Sequence, residues 1–354
     1  MNILMSSYLF APSVGGIETV SSILAEEFTR LGANVTVVTG TPASVPDTEP
    51  YRIERRPSAA TMLKLLKWSD VFFQNNISLN FSWPLALVRR PLVIALHTWI
   101  TRANGKKSWQ DYLKQRFLHS AHCISVSRAV AAHISAPSTV IGNPYDDSEF
   151  FKIPGAMRTK DLVFLGRLVS DKGVDLLIDA LGKLKARGLR PSLTVIGGGP
   201  DEQLLRAAAA QNGVAAQIEF AGVKRGAELV SLLNQHRVMV VPSRWQEPFG
   251  IVALEGIACG CAVVASDGGG LPDAMGACGV AFKRGDPGDL ADTLASLFEH
   301  PDRISELQSN GPAHLARHTR TAVAQCYLDV LEKAVIDHGR ARSGAGVQPA
   351  RAVS

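Results

Sequence analysis

The feature that most constrains this chain is an alternation that runs through it twice. Short apolar runs at residues 2–5, 35–39, 71–74, 92–96 and 123–126 read as strands. Helical patterns separate them. In residues 17–31, for example, Ile17, Val20, Ile23, Leu24, Phe28 and Leu31 fall on one helical stripe, and Gly32 follows as a stop. Alternating strands and helices predict a parallel sheet with helices on both faces. The pattern lapses in NPYDDSEFFKIPG at 143–155, a polar, proline-containing stretch that reads as a linker. It then resumes with strands at 162–165, 193–196, 218–220, 238–242 and 262–265. Helices are expected at 174–186, at 202–212, from Gly250, near Leu290 and at 313–334. The fold class predicted is α/β: two Rossmann-like, doubly wound domains, 1–150 and 151–337, with a cleft between them. Residues 338–354 are poor in large apolar side chains and read as a disordered tail. At 354 residues, 46% of them apolar, the chain is long enough for a core in each half.

Charge narrows the partners. The net charge is +5, and up to Asn143 there are 14 Lys and Arg against 8 Asp and Glu, so the excess lies in the first half. That suits an anionic small ligand or an acidic membrane surface; without a dense basic block, no nucleic acid is expected. The five cysteines (Cys123, Cys259, Cys261, Cys278 and Cys326) have no zinc-like spacing and read as buried small residues in a reducing compartment. The start MNILMSSYLF reads as a strand rather than a signal peptide, and no long apolar run is present. A cytoplasmic protein is expected, at most peripheral on the inner face of a membrane.

Four strand-end features suit a diphosphate. Gly15-Gly16 precedes the first helix, where backbone N–H groups approach an anion, but GGIETV lacks the third glycine of a dinucleotide fingerprint. Arg167 and Lys172 lie on one loop after the strand 162–165, with Asp171 and Asp175 as candidate partners for the lysine. Gly250 opens a helix whose positive end includes the N–H of Ile251. Gly268, Gly269 and Gly270 precede Pro272. Each is also ordinary turn chemistry. Two carboxylates accompany them. Glu247, before Pro248, belongs to a loop. Glu255 lies ~7 Å along the helix from Gly250, where a carboxylate suits two hydroxyls of a ribose or a sugar diol; an ordinary helix-surface residue is the alternative.

The segment RWQEPFGIVALEGIACGCAVVASDGGGLPD at 244–273 resembles the signature of glycosyltransferase family 4, with its E-x7-E pattern and GG-x-P loop. GGIE at 15–18, His97 after the strand 92–96, GRLVSDKG at 166–173 and GGGP at 197–200 match the same family in order. The resemblance implies a GT-B fold with the acceptor site mainly in the first domain and the donor site mainly in the second. It implies that Arg167, Lys172 and the N–H groups of Gly250 and Ile251 hold the donor diphosphate, and that Glu255 binds the ribose. Glu247 would contact hydroxyls of the transferred sugar, Gly16 the phosphates from the opposite domain, and His97 the donor sugar. The final helix, 313–334, would cross back to the first domain.

The activity implied is retaining hexosyl transfer from a nucleotide-diphosphate sugar to a hydroxyl of a glycan or lipid-linked acceptor, as in polysaccharide, lipopolysaccharide or glycolipid assembly. No cofactor and no metal are expected, since the chain has no Asp-x-Asp. Lys106, Lys107, Ser108, Trp109, Tyr112, Lys114, Arg116 and Phe117, with Arg52, Arg55, Arg56, Lys64 and Lys67, could form a basic, aromatic surface for anionic lipid, although a half-buried amphipathic helix whose Lys and Arg are merely solvated is the simpler reading. Residues 221–225 are candidates for base contacts. The alternatives are a sugar-nucleotide epimerase of the same fold and a nucleotide-binding module without transfer.

Overall fold

A computed structural model describes residues 1–13, 15–43, 46–100 and 109–342. The chain divides into two compact units. The first comprises Met1–Val126, Val130–Ile141 and the chain from Val323 onward; the second comprises Ser127–Ala129 and Gly142–Ala322.

The first unit is built on seven parallel strands: β1 (Asn2–Ser6), β2 (Asn34–Thr39), β3 (Arg52–Arg55), β4 (Val71–Asn75), β5 (Leu92–Leu96), β6 (His122–Ser125) and β7 (Ser138–Val140). Their order is β3-β2-β1-β4-β5-β6-β7, so the chain winds outward in both directions from the β1/β4 pair. Met5 lies opposite Val37 on one side and Phe73 on the other. The central strands are buried and apolar, as a sheet covered on both faces requires. The two edge strands escape an apolar pattern search. Strand β3 reads RIER and β7 reads STV, because an edge strand has one neighbour and stays partly exposed.

The second unit holds six parallel strands: β8 (Lys160–Leu165), β9 (Leu193–Ile196), β10 (Ile218–Gly222), β11 (His236–Val241), β12 (Ala262–Ser266) and β13 (Gly279–Phe282). Their order is β10-β9-β8-β11-β12-β13. Its core gathers Leu162 and Phe164 from β8, Leu177 and Leu181 from the helix Val174–Ala186, and Leu290 and Leu294 from Pro287–Glu299.

Three expectations are corrected. The stretch at 143–155 does not serve as a solvated linker through its first half: Asn143, Tyr145 and Phe150 are buried in the second unit, which begins at Gly142. The single helix expected at 313–334 is two, Gly311–Leu315 and Arg320–Arg342. The break falls at His318, whose backbone carbonyl accepts the N–H of Tyr145 and whose ring Nδ1 donates to the carbonyl of Asn143. The tail expected to be disordered from residue 338 remains helical to Arg342; residues 343–354 lie outside the described residues. From Val323 the last helix belongs to the first unit, where Tyr327 is fully buried and meets Phe73 edge-on at 5.8 Å.

Candidate donor site and its surroundings

In the second unit β8 lies between β9 and β11, so successive connections leave it in opposite directions. Crevices form at the carboxyl ends of strands where the order reverses in this way. The loops after β8 and β11 meet there. Lys172 ends the turn Ser170–Lys172, and Gly173 follows with φ 69°. A Cβ on Gly173 would fall 2.0 Å from the carbonyl oxygen of Pro242, so only glycine lets the loops touch. The carbonyl of Asp171 accepts the N–H groups of Arg244 and Trp245 at 2.9 and 3.2 Å.

This contact places Lys172 Nζ 2.5 Å from Glu247 Oε1, which also accepts the hydroxyl of Ser243 at 2.9 Å. Asp171 and Asp175 are not the partners of the lysine; Asp175 is paired with Arg244 instead. Arg167 is exposed, and among the described residues no acidic side chain pairs with it.

The glycines at 268–270 also have a packing role. Gly270 N–H donates to the carbonyl of Glu247 at 2.7 Å. A Cβ on Gly269 would meet that carbonyl at 2.2 Å, and one on Gly270 would meet the carbonyl of Pro248 at 2.2 Å. The run therefore supports the backbone of Glu247. Ser127 and Arg128 support the same region: Ser127 Oγ donates to the carbonyl of Pro248, and the Arg128 N–H and Nε donate to Asp273.

The helix Ile251–Ala258 begins after Gly250, at φ 107°, and no side chain caps its first N–H groups. Its positive end is open to an anion. Glu255 sits on its second turn. Part of its surface is open to solvent, yet burial pushes its carboxyl up to about 7, with Glu149 and Asp146 adding like charge. The acidic neighbours come from the stretch expected to be a linker, so sequence spacing gave no sign of them. Glu149 also accepts the N–H of Gly226 at 3.1 Å.

In the first unit Gly16 opens the helix Gly16–Arg30 and is exposed. A Cβ on Gly15 would lie 2.5 Å from the carboxylate of Glu18, which folds back over that helix start. His97 follows β5 and is buried; its Nε2 lies 2.7 Å from Asn75 Oδ1. Asn75 Nδ2 donates to Ser21 Oγ at 2.6 Å, and Ser21 meets Ser7 at 2.8 Å. With the amide oriented this way, His97 carries its proton on Nε2. A side-chain network therefore holds His97. Its members stand at the ends of β1 and β4 and on the first helix, and the only sequence sign was polar residues ending apolar runs.

Other expected features are dispersed. Lys106, Lys107 and Ser108 lie outside the described residues. Trp109 and Tyr112 are exposed, and Phe117 is half-buried. Arg52 and Arg55 pair with Glu54 and Asp47, and Arg56 donates to the carbonyl of Gly40. Four cysteines are buried, with burial pushing the thiols of Cys123 and Cys278 up to about 11, but Cys326 is exposed, contrary to expectation. Among the described residues no helix is long and apolar enough to cross a membrane.

Two family models divide the chain. The model for Glycosyltransferase Family 4 matches residues 14–149, and that for Glycosyl transferases group 1 matches 146–314. The chain is 33% identical over 185 residues to a D-inositol 3-phosphate glycosyltransferase of Corynebacterium jeikeium, a match covering 50% of this chain and 44% of that protein. The chain thus spans less than half the length of that relative. It is 27% identical to a glycogen synthase of Mycobacterium tuberculosis, over 93% of this chain and 94% of that one. Among solved structures, Anabaena HepE in complex with UDP aligns with a TM-score of 0.78 at 20% identity, covering 94% of this chain and all (100%) of that chain. Sucrose-phosphate synthase from Thermosynechococcus elongatus aligns with a TM-score of 0.78 at 18% identity, over 95% and 99% of the two chains. The shared architecture is GT-B.

Proposed function

This chain belongs to the group 1 glycosyltransferases, and we propose that it catalyses retaining, metal-independent transfer of a hexose from a nucleotide-diphosphate sugar to a hydroxyl acceptor. The observation that carries the reading is the Lys172–Glu247 pair beside the uncapped helix start at Gly250. Breaking a sugar–phosphate bond builds negative charge on the diphosphate and positive charge on the sugar. Cations and N–H groups fixed in advance lower that barrier most. Arg167, Lys172 and the N–H groups of Gly250 and Ile251 supply them in this reading. Glu247 then takes hydroxyls of the transferred sugar, and Glu255 takes the ribose. Gly16 and His97 serve the same reaction from the first unit, Gly16 at the phosphates and His97 at the donor sugar.

Retention follows if the acceptor enters on the face the diphosphate leaves, with a diphosphate oxygen taking its proton. Metal independence rests on the sequence, which offers cations and no Asp-x-Asp. The acceptor in this reading is a glycan or a lipid-linked glycan at the inner face of a membrane, within cell-surface polysaccharide, lipopolysaccharide or glycolipid assembly. The excess of basic residues before Asn143 supports it.

The test begins with UDP, because HepE was solved with it. UDP, GDP and ADP and their sugars are screened for thermal stabilisation, since a ligand of the folded state raises its apparent stability. The stabilising sugar nucleotide is then incubated with candidate acceptors and EDTA, and the product anomer is read by NMR. Release of nucleoside diphosphate that depends on acceptor, survives EDTA and preserves the anomer is the expected result. Inversion, or loss of turnover in EDTA, overturns the corresponding part.

A further inference from the structure

A groove of about 800 Å³ runs along the flank of the first unit. Leu79, Trp83, Leu85, Leu113 and Phe117 give it apolar walls, and Arg89 stands at its rim. Leu92, which begins β5, also lines it, so the groove reaches the sheet's amino edge, opposite the strand ends near His97. It continues onto an apolar surface. On the helix Trp109–Leu118, Trp109, Tyr112, Leu113 and Arg116 share one face at helical spacing. Trp109 and Tyr112 are 73% and 74% exposed, and Leu87 nearby in sequence is 68% exposed. An exposed apolar patch of this kind marks a binding surface.

Charge identifies the occupant. Among the described residues from 76 to 122 the one acidic side chain, Asp111, is buried, whereas Arg89, Arg90, Lys114 and Arg116 are cationic. Arg90 is fixed in place, donating through its Nε and Nη2 to the carbonyls of Leu66 and Lys67. Arg89 is exposed, and no carboxylate among the described residues pairs with it. Asp337, on the last helix, is engaged by His122 at 3.1 Å. Apolar walls, tryptophan and tyrosine at the surface, and arginine at the rim form the combination found where hydrocarbon meets an anionic headgroup.

We infer that this groove holds the hydrocarbon chain of an anionic amphiphile, with its phosphate at Arg89. The inference rests on the acceptor side of the reading above, for which it identifies a site for the lipid moiety. Alkyl phosphates of increasing length, kept below micelle formation, test it by calorimetry. Affinity is expected to rise about fourfold per added methylene and then level off once the groove is filled. Arg89→Glu is expected to weaken dodecyl phosphate binding at least tenfold, and Leu113→Gln to flatten the length dependence. Both positions are exposed, so neither variant disturbs the core.

Affinity that climbs with length and never levels off, or that is unchanged in the Arg89→Glu/Leu113→Gln double variant, overturns the inference. So does equal binding of inorganic phosphate, or self-association that buries the groove, seen by sedimentation velocity. UDP is titrated into the unaltered protein in parallel. UDP binding without alkyl phosphate binding rejects the groove alone; alkyl phosphate binding without binding of any nucleoside diphosphate rejects the donor reading alone.

Discussion

Lys172 Nζ lies 2.5 Å from Glu247 Oε1, so the cation assigned to the donor's phosphates is already neutralised by the carboxylate assigned to its sugar. In the reading proposed above, donor binding divides this pair between two parts of one ligand. In that reading Arg167, exposed and without an acidic partner among the described residues, is the cation that meets the diphosphate first.

Lys172→Ala should lower kcat by about 10²–10³-fold, the usual effect of removing one preorganised group at developing charge. Its fold should persist, because the side chain lies on a surface loop. Steady-state rates alongside circular dichroism check this. Near-normal turnover with a confirmed donor would refute the assignment.

Two glycines at left-handed φ, one at a loop contact and one in open space, should be sharply unequal. Gly173→Ala drives a methyl into the carbonyl of Pro242 at a left-handed φ, and should destabilise by about 3 kcal/mol or more. Gly188→Ala, at φ +83° with open space around it, should cost only about 1–2 kcal/mol. Urea denaturation midpoints compare the two. Equal losses would show that the tight contact between the loops is absent.

Glu255 predicts a pH dependence. Its folded carboxyl, at about 7, lies above the ordinary carboxylate value near ~4.3. Its favourable contribution is thus full below ~4.3 and lost as pH rises through about 7. Glu255→Gln should be more stable than the parent at pH 8 and have no such advantage at pH 4. Denaturant midpoints across that range test it; a gap that stays constant contradicts the raised carboxyl.

Asn75→Leu preserves bulk but removes the hydrogen bonds that Asn75 makes to His97 and to Ser21. Each buried hydrogen bond lost costs about 0.5–1.5 kcal/mol. Chemical denaturation should show a loss of at least that size, and a smaller one for Asn75→Asp, which still accepts from His97. Equal losses would mean that the His97 bond carries no weight.

Particular residues show what was legible beforehand. The central strands were readable because two-sided burial demands apolar runs such as LVIAL in β5. RIER in β3 was not, because an edge strand needs no such run. Lys172 and Glu247 were recognisable as types, but their pairing depends on β8 lying next to β11. The lysine's neighbours in sequence, Asp171 and Asp175, were the natural guesses. The glycines at 268–270 read as a phosphate loop, whereas their packing against Glu247 and Pro248 appears only once both loops are placed. The helix break at His318 was hidden because its cause, the buried stretch from Asn143 to Tyr145, lies far away in sequence.

The contact between Tyr327 and Phe73 also bears on how the protein is made. The two rings are separated by about 250 residues of chain, and the whole second unit is translated between them. At a synthesis rate of about 5–20 residues per second, Phe73 waits roughly 10–50 s for its partner. Throughout that interval the nascent first unit shows the ribosome's surroundings an uncovered aromatic slot. The slot closes only when the last helix emerges.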